Sequence, residues 1–562
     1  MSVDLSRTRP PRIALWKHVE KVARAVPDRD CVVWGGGRRS FGELFRRSER
    51  LARFLVSKEL GCFAERETLA GCHSGQDHVA IYLYNGPEYM ESMLACFGSR
   101  TVPLNVNYRY VDDELRFILR KGRARAIVYD RRFADHVDAI HPDLPDLRVL
   151  IEVGGESMPA VEGALPYESV VGTDGPDVAL PDPRPEDLCV IYTGGTTGLP
   201  KAVLWEQSDL WNSLGATRHP VTGRPFGSLE ELRAMAREQR FTTLCIPPFM
   251  HLTGFGFVML TLAAGVTMVI PRTPEKLVPK EIWSVVESEG VELLCTVGNA
   301  MAQPLLEELE RGSYDLTSLK AVVNGGAAMS ERVRSGLLLK LPDHTRVVDG
   351  VGSSEGGKQL SAVFSRRSPS GPKPRYVAAP TCHILSLDRT RLLEPHEAAE
   401  GWLASEGLLP LGYLDEPEKT AETFPTIDGV RYAIPGDKAV HVDGQVELLG
   451  RDSVTINSGG EKIFAEEVEL AILRNASVKD VVVTGRASER WGSEVVAIVS
   501  LGQPATAREI LSTCENQIAR YKLPKEIIFV DEVARGPNGK ADYRWARSVA
   551  ESRDVHTSAD RA

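Results

Sequence analysis

Along the first half of the chain, short apolar runs alternate with amphipathic stretches. "VAIYLY" (79–84) is continuous enough for a buried strand, "NGP" breaks it, "EYMESMLACFGS" has helical spacing, and "TVPLNV" returns to strand. "DDELRFILRKG" and "ARAIVYD" repeat the order, which predicts βα units around a mainly parallel sheet. A second series runs from "TTLCIPP" through "VTMVI", "PKEIWSVVESEG", "VELLCTV" and "LKAVVNGG" to "TRVVDGVG". No short-period repeat or heptad array interrupts either series. The stretch Leu252–Ile270, "LTGFGFVMLTLAAGVTMVI", is 19 residues without a charge, long enough for a membrane span. Gly254, Gly256 and Gly265 punctuate it, however, and the β-branched "VTMVI" ends at Pro271. The pattern predicts a buried helix, a turn at Gly265 and a core strand.

Past Glu400 the texture changes. "GVRYAI", "KAVHV" and "QVELLG" alternate like antiparallel strands, with a tight turn at "VDGQ". "SVTINSGGEKIFAEEVELAILRN" reads as strand, glycine pair and amphipathic helix. "VKDVVVTGR" and "EVVAIVSL" read as strands, and "ATAREILSTCENQIARYKLP" as one helix. The last stretch, about 110 residues, has the size of an α+β unit of its own. The expected fold class is therefore α/β, with a large domain over residues 1–452 made of stacked βα subdomains and a small α+β domain over 453–562.

With 562 residues the chain exceeds one ordinary core. Its 67 lysines and arginines against 77 acidic residues leave a net charge of −10, which argues against nucleic acid or an anionic membrane as the main partner. A small anionic ligand would need a local basic site. The nine cysteines are scattered, odd in number and form no C-x-x-C pair, which favours a reduced cytoplasmic protein over a disulfide scaffold or zinc site. The N-terminus has no apolar h-region and the C-terminal "TSADRA" matches no retention or lipidation tag, so neither secretion nor stable membrane insertion is expected.

One local motif stands out. "IYTGGTTGLPKAVLW" (Ile191–Trp205) crowds glycines and threonines ahead of a lysine. Bare backbone, hydroxyls and a compact positive charge suit a polyphosphate. The Walker pattern fails, because Lys201 follows Pro200 and Ala202 stands at the magnesium-binding hydroxyl position. Apolar runs on both sides predict a loop between two strands rather than one that opens a helix.

Several motifs in one order make the chain resemble the adenylate-forming enzymes: acyl- and aryl-CoA synthetases, amino-acid adenylation domains and beetle luciferases. "YTGGTTGLPK" resembles their phosphate loop, and "PFMHLTG" the segment that places a histidine near the acyl tunnel. "NGGAAM" resembles the adenine-side strand end, and "VGSSEGG" the Y-G-x-T-E motif. "PGDKAVHVDGQVELLGR" carries an aspartate and an arginine, "NSGGEKI" a mobile thiol-side loop, and "GPNGKADYRWAR" the C-terminal lysine. "NVNYRY" (Asn105–Tyr110) is similar to the bacterial fatty- and steroid-acyl branch. The resemblance implies a distorted barrel in the large domain and a mobile small domain.

It also implies site residues. Thr193, Gly194, Gly195, Thr196, Thr197, Gly198 and Lys201 would hold the ATP phosphates. Asn324, Gly325, Gly326 and Ala327 would lie on the adenine side, Val351 at the position that packs on adenine, Gly352 and Ser353 also at the nucleotide, and Asp437 and Arg451 at the ribose. Ser354 would contact the α-phosphate, Glu355 would carry Mg2+, and Lys540 would be catalytic. His251 would gate the acyl site, Ser453 would be the hinge, and Gly459, Gly460, Glu461 and Lys462 would form the CoA-side loop. Taken alone, Asp437 reads as a turn residue, Lys540 as a solvated turn lysine and His251 as a core histidine. Two departures stand out: Val351 replaces the usual aromatic, and Ser453 the usual hinge aspartate or lysine.

The chemistry of adenylation makes sense of the set. A carboxylate must attack the α-phosphorus of ATP while pyrophosphate leaves, so positive charge and oriented donors carry the catalysis. A lone carboxylate bridged to phosphates suits magnesium, which keeps its waters. The expected activity is ATP-dependent ligation of a hydrophobic carboxylic acid to CoA. A luciferase-like oxygenation, a carrier-protein acceptor and a nucleotide-binding regulator are the alternatives. Neither the individual acid nor the oligomeric state is readable, a homodimer being one option.

Overall fold

The computed structural model describes residues 12–154, 160–172, 175–193, 200–215, 228–238, 240–326, 329, 331–368, 374–451, 455–515, 517–534 and 543–552. Two large sheets form the body. In the eight-stranded one, Leu188–Thr193, Val102–Asn105, His78–Tyr82, Ala124–Asp130 and Val149–Val153 run parallel and adjacent in that order. These strands are apolar at almost every position because helices cover both faces, so no alternation survives in their sequences. At one side Lys201–Glu206 folds back antiparallel on Leu188–Thr193, with Thr193 opposite Lys201. That is the strand–loop–strand expected for the glycine–threonine motif, although the loop itself, 194–199, lies outside the described residues.

The nine-stranded sheet is built from the second series. Arg346–Ser353, Ala321–Gly325, Leu293–Thr296, Thr242–Cys245, Thr267–Val269 and Asp30–Trp34 lie side by side and parallel. The uncharged Leu252–Ile270 stretch resolves as expected. A helix at Leu252–Ala264 ends on Gly265, whose φ of 65° is the left-handed C-cap that glycine adopts without strain, and the strand Thr267–Val269 follows. No helix among the described residues is long and apolar enough to cross a membrane.

A third, six-stranded sheet packs beside these and contains the hairpin Asp437–Val442/Gln445–Arg451. Its turn residues Asp443 and Gly444 both have positive φ, which matches the twist of a tight hairpin. The distorted barrel implied by family resemblance is corrected here: the sheet stays open, with Thr426–Ile427 and Gln445–Arg451 at its ends, and no closed barrel occurs among the described residues.

The small domain holds a five-stranded sheet with Thr455–Ser458, Glu461–Phe464, Val478–Ser488, Gly492–Leu501 and Glu526–Phe529. The expected border at Ser453 falls within 452–454, outside the described residues. One helix is shorter than its pattern predicts. Ala507–Cys514 is helical, but a 3-10 turn at Arg520–Lys522 replaces the continuation. Tertiary contacts win over local propensity, since the Ala519 amide and the Lys522 ammonium both donate to Glu114 of the large domain. All nine cysteines are free.

Candidate active site

The C-terminal ends of the parallel strands in the nine-stranded sheet face a cavity of about 520 Å³. Thr193, Asn324, Gly325, Gly326, Val351 and Gly352 line it. So do Ser353, Ser354, His251, Gly460, Glu461 and Lys462. Residues expected at the nucleotide, the acyl gate and the thiol-side loop therefore share one space. Asp437 does not line the cavity; it sits opposite Arg451 in the hairpin register. Gly194, Gly195, Thr196, Thr197, Gly198, Ala327, Ser453 and Lys540 lie outside the described residues.

The strand ends expected to face the nucleotide are held from behind by buried polar pairs. Asn324, fully buried, accepts from the Gly298 amide at 2.7 Å and donates to Asp349 at 2.7 Å. Burial pushes the Asp349 carboxyl above its usual range, while Asn324 and Tyr376 hydrogen bonds oppose the shift. The Ser354 carbonyl accepts from the Trp205 indole at 2.8 Å, and the Ser353 hydroxyl accepts from the Gly356 amide at 2.9 Å. Such satisfied buried networks make a rigid rim.

Glu355 is buried, and one of its oxygens accepts from the Tyr413 hydroxyl at 3.0 Å. The Lys201 ammonium stands 4.6 Å from the centre of the same tyrosine ring. Burial lowers the Lys201 pKa, and the nearby Glu355 charge counters it. No group of three or more histidine, cysteine or acidic residues that could hold a metal ion occurs among the described residues. A buried carboxylate that accepts one hydrogen bond from Tyr413 and is sensed by the Lys201 charge fits a magnesium ion shared with phosphates.

His251 immediately precedes the Leu252–Ala264 helix, and its Nε2 lies 3.2 Å from Glu461 Oε1. Arg109 donates to the same oxygen at 2.8 Å. Burial alone would raise the Glu461 carboxyl, but the His251 and Arg109 charges outweigh it and hold it down to about 2. The glycine pair ahead of Glu461 is required by geometry. Gly459 and Gly460 have φ of 60° and 86°, and a Cβ at Gly460 would fall 2.4 Å from Val297 Cγ1 of the large domain. A second cavity, of about 200 Å³, adjoins at Pro248, Glu461 and Tyr521 and is also lined by Arg109, Trp491 and Lys525.

Sequence reasoning missed four supporting residues. Tyr413 and Asp349 hold site residues 58 and 25 positions away, and no motif spacing marks them. Arg109 lies within "NVNYRY" and Lys522 within "YKLP", but neither stretch shows from sequence what its cation meets. Lys522 is buried between Glu114 and Glu467, bridging the two domains.

Comparison with known proteins follows the same division. Residues 19–414 match the model of the AMP-binding enzyme family, and residues 467–540 that of the AMP-binding enzyme C-terminal domain. The medium-chain acyl-CoA ligase Mig of Mycobacterium avium is 45% identical over 537 residues, covering 94% of this chain and 96% of that protein. The 3-oxocholest-4-en-26-oate–CoA ligase of Rhodococcus rhodochrous is 35% identical, covering 94% of each. Among solved structures, the amide bond synthetase McbA from Marinactinospora thermotolerans superposes with a TM-score of 0.75 over 95% of this chain and 99% of that one, at 19% identity. That last likeness speaks for the fold.

Proposed function

The chain belongs to the AMP-binding enzyme family, and on that premise we propose that it is an ATP-dependent acid–CoA ligase for a hydrophobic monocarboxylic acid. A carboxylate oxygen attacks the α-phosphorus of ATP and pyrophosphate leaves. The CoA sulfur then attacks the acyl carbonyl, AMP departs, and the thiol proton is released. The observation that carries this reading is the shared cavity. The Gly460–Lys462 segment of the small domain forms a wall of the space already bounded by nucleotide-side strand ends and an apolar channel.

The residues divide between the two steps. In the first, Ser354, Lys201 and the loop 194–199 hold phosphate oxygens, Asp437 and Arg451 the ribose, and Lys540 neutralises charge where carboxylate and α-phosphate converge. Glu355 would hold magnesium, which supplies charge neutralisation on the phosphates when bound. Val351 leaves adenine without an aromatic partner from that position. In the second, rotation about Ser453 withdraws Lys540 and brings in the Gly459–Lys462 loop. His251, drawn toward Glu461, clears the approach to the acyl carbonyl. The adjoining cavity at Arg109, Trp491 and Lys525 suits the CoA arm, with cations for its phosphates and a ring for its base. The free cysteines suit a reducing compartment such as the cytoplasm.

The test is acid-dependent release of pyrophosphate and AMP with magnesium, ATP and CoA across acids graded by length and ring content, with the thioester identified by mass. Turnover with apolar monocarboxylates supports the reading; absence of thioester with every acid refutes it.

A further inference from the structure

The main cavity does not stop beneath His251. Ala321, Val323 and Gly325 on one strand line it, as do Arg346, Val348 and Gly350 on the next, and the two sets are direct register partners. At the deep end the lining takes every second residue, so one face of the sheet floors the cavity there, while Asn324, Gly326, Val351 and Gly352 join the lining near the strand ends. Burial agrees at the deep end: Val322, between Ala321 and Val323, is buried and does not line the cavity, while Ala321, Val323 and Gly325 are half-buried. Thr253, Gly256, Phe257 and Leu260, spaced as one face of the Leu252–Ala264 helix, form the opposite wall. Four residue steps of strand make this passage about 13 Å long.

At its far end the character of the lining changes. Lys320 pairs with Glu292, its side chain 51% exposed and its ammonium 5.8 Å from the Phe241 ring centre. Arg346 Nη1 donates to the His344 carbonyl at 2.9 Å, and Val363, the register partner of Val348 two residues in from Arg346, is 62% exposed. The passage thus leads from the strand ends around Asn324 to a second, polar and solvent-exposed mouth at the opposite, N-terminal ends of the same strands.

We propose that this is a through-channel that selects acids by where their polar groups fall. The substrate class is a carboxylic acid with an apolar body about 13 Å long, roughly ten carbons at ordinary bond geometry, whose far end reaches the Lys320–Glu292–Arg346 mouth. A hydroxyl on a shorter chain would be stranded in the dry channel without a hydrogen-bond partner, at a desolvation cost. On a longer chain the same hydroxyl stays in water, and the extra carbons leave through the mouth. The proposal rests on the ligase reading above.

The test compares kcat/KM, by acid-dependent pyrophosphate release, for octanoate and hexadecanoate and for their ω-hydroxy forms. The ω-hydroxyl is expected to lower kcat/KM at least about tenfold at eight carbons and less than about twofold at sixteen. An equal penalty at both lengths, with good activity on the parent acids, overturns the channel and leaves the ligase reading intact. No activity with any of the four acids overturns the channel, and the ligase reading falls with it only if every acid of the graded panel also fails. In Ala321→Phe, which narrows the deep end, the hexadecanoate-to-octanoate ratio of kcat/KM is expected to fall at least about tenfold. An unchanged ratio in the folded variant also overturns the proposal.

Discussion

His251 and Glu461, 210 positions apart and on different domains, meet at 3.2 Å, and Arg109 donates to the same carboxylate oxygen. The residue proposed to gate the acyl site is thereby tied to the Gly459–Lys462 loop of the small domain. The contact exists only while that domain is docked in this orientation.

Glu461→Gln keeps the shape and removes the charge. It is expected to slow thioester formation from prepared acyl-AMP about tenfold or more, the scale of a lost charge-assisted hydrogen bond, while acid-dependent ATP–pyrophosphate exchange changes little. Equal loss in both assays would contradict a role confined to the second step. The pH dependence has a definite sign. With its carboxyl held down to about 2, Glu461 contributes to docking fully above the ordinary carboxylate range, and the contribution disappears as pH falls toward 2. Its titration therefore adds no inflection to the second step near neutrality.

The second clamp responds to pH in the opposite sense. Burial pushes the Glu467 carboxyl up to about 8, Lys522 opposes the shift and Glu114 reinforces it. Glu467 Oε2 is buried without a hydrogen-bond partner among the described residues, and Tyr110 and Tyr521 complete the surroundings of the Lys522 ammonium. The docked state binds the proton more tightly than an undocked one would. Docking is favoured most below the ordinary carboxylate range and weakens as pH rises from there through about 8. Small-angle scattering across that range is expected to show the small domain loosening at the alkaline end. Glu467→Gln, a permanent neutral mimic, is expected to flatten the response.

Glu355→Gln is nearly isosteric and is expected to lower adenylation chiefly by weakening magnesium binding, so that added magnesium restores part of the rate. Tyr413→Phe removes one hydrogen bond to the same carboxylate and is expected to produce a smaller shift in magnesium dependence, of a few-fold. Full activity of Glu355→Gln at low magnesium would exclude it as the ligand.

Much of this organisation could be read from the residues. The hairpin around the glycine–threonine loop followed from two apolar runs with punctuation between them, and the helix stop at Gly265 from one glycine ahead of β-branched residues. What could not be read depends on partners distant in sequence. Lys522 looks like the tail of an amphipathic helix, and only the Glu114 carboxylate across the domain interface explains why the helix stops early. Tyr413 lies in an unremarkable "LGYLDEP", and its role exists only because the fold brings it to Glu355. The expected barrel had no basis in the strand pattern, and the third sheet remained open.

Lys540→Ala separates the two half-reactions. It is expected to cut ATP–pyrophosphate exchange about 10²-fold or more, the cost of one preorganised electrostatic group. Thioester formation from supplied acyl-AMP is expected near the parent rate. Equal loss in both assays would remove the residue-level support for alternation between two domain orientations.

The central claim is that the acid is activated by bonding one of its own oxygens to the α-phosphorus of ATP. The most direct measurement starts from a medium-chain acid with both carboxyl oxygens labelled with the heavy isotope, together with magnesium, ATP and CoA. Mass spectrometry then follows the products. The predicted result is acyl-CoA retaining one labelled oxygen, AMP carrying the other, and unlabelled pyrophosphate. Formation of ADP with the label in inorganic phosphate, or of AMP without label alongside acyl-CoA, would contradict it.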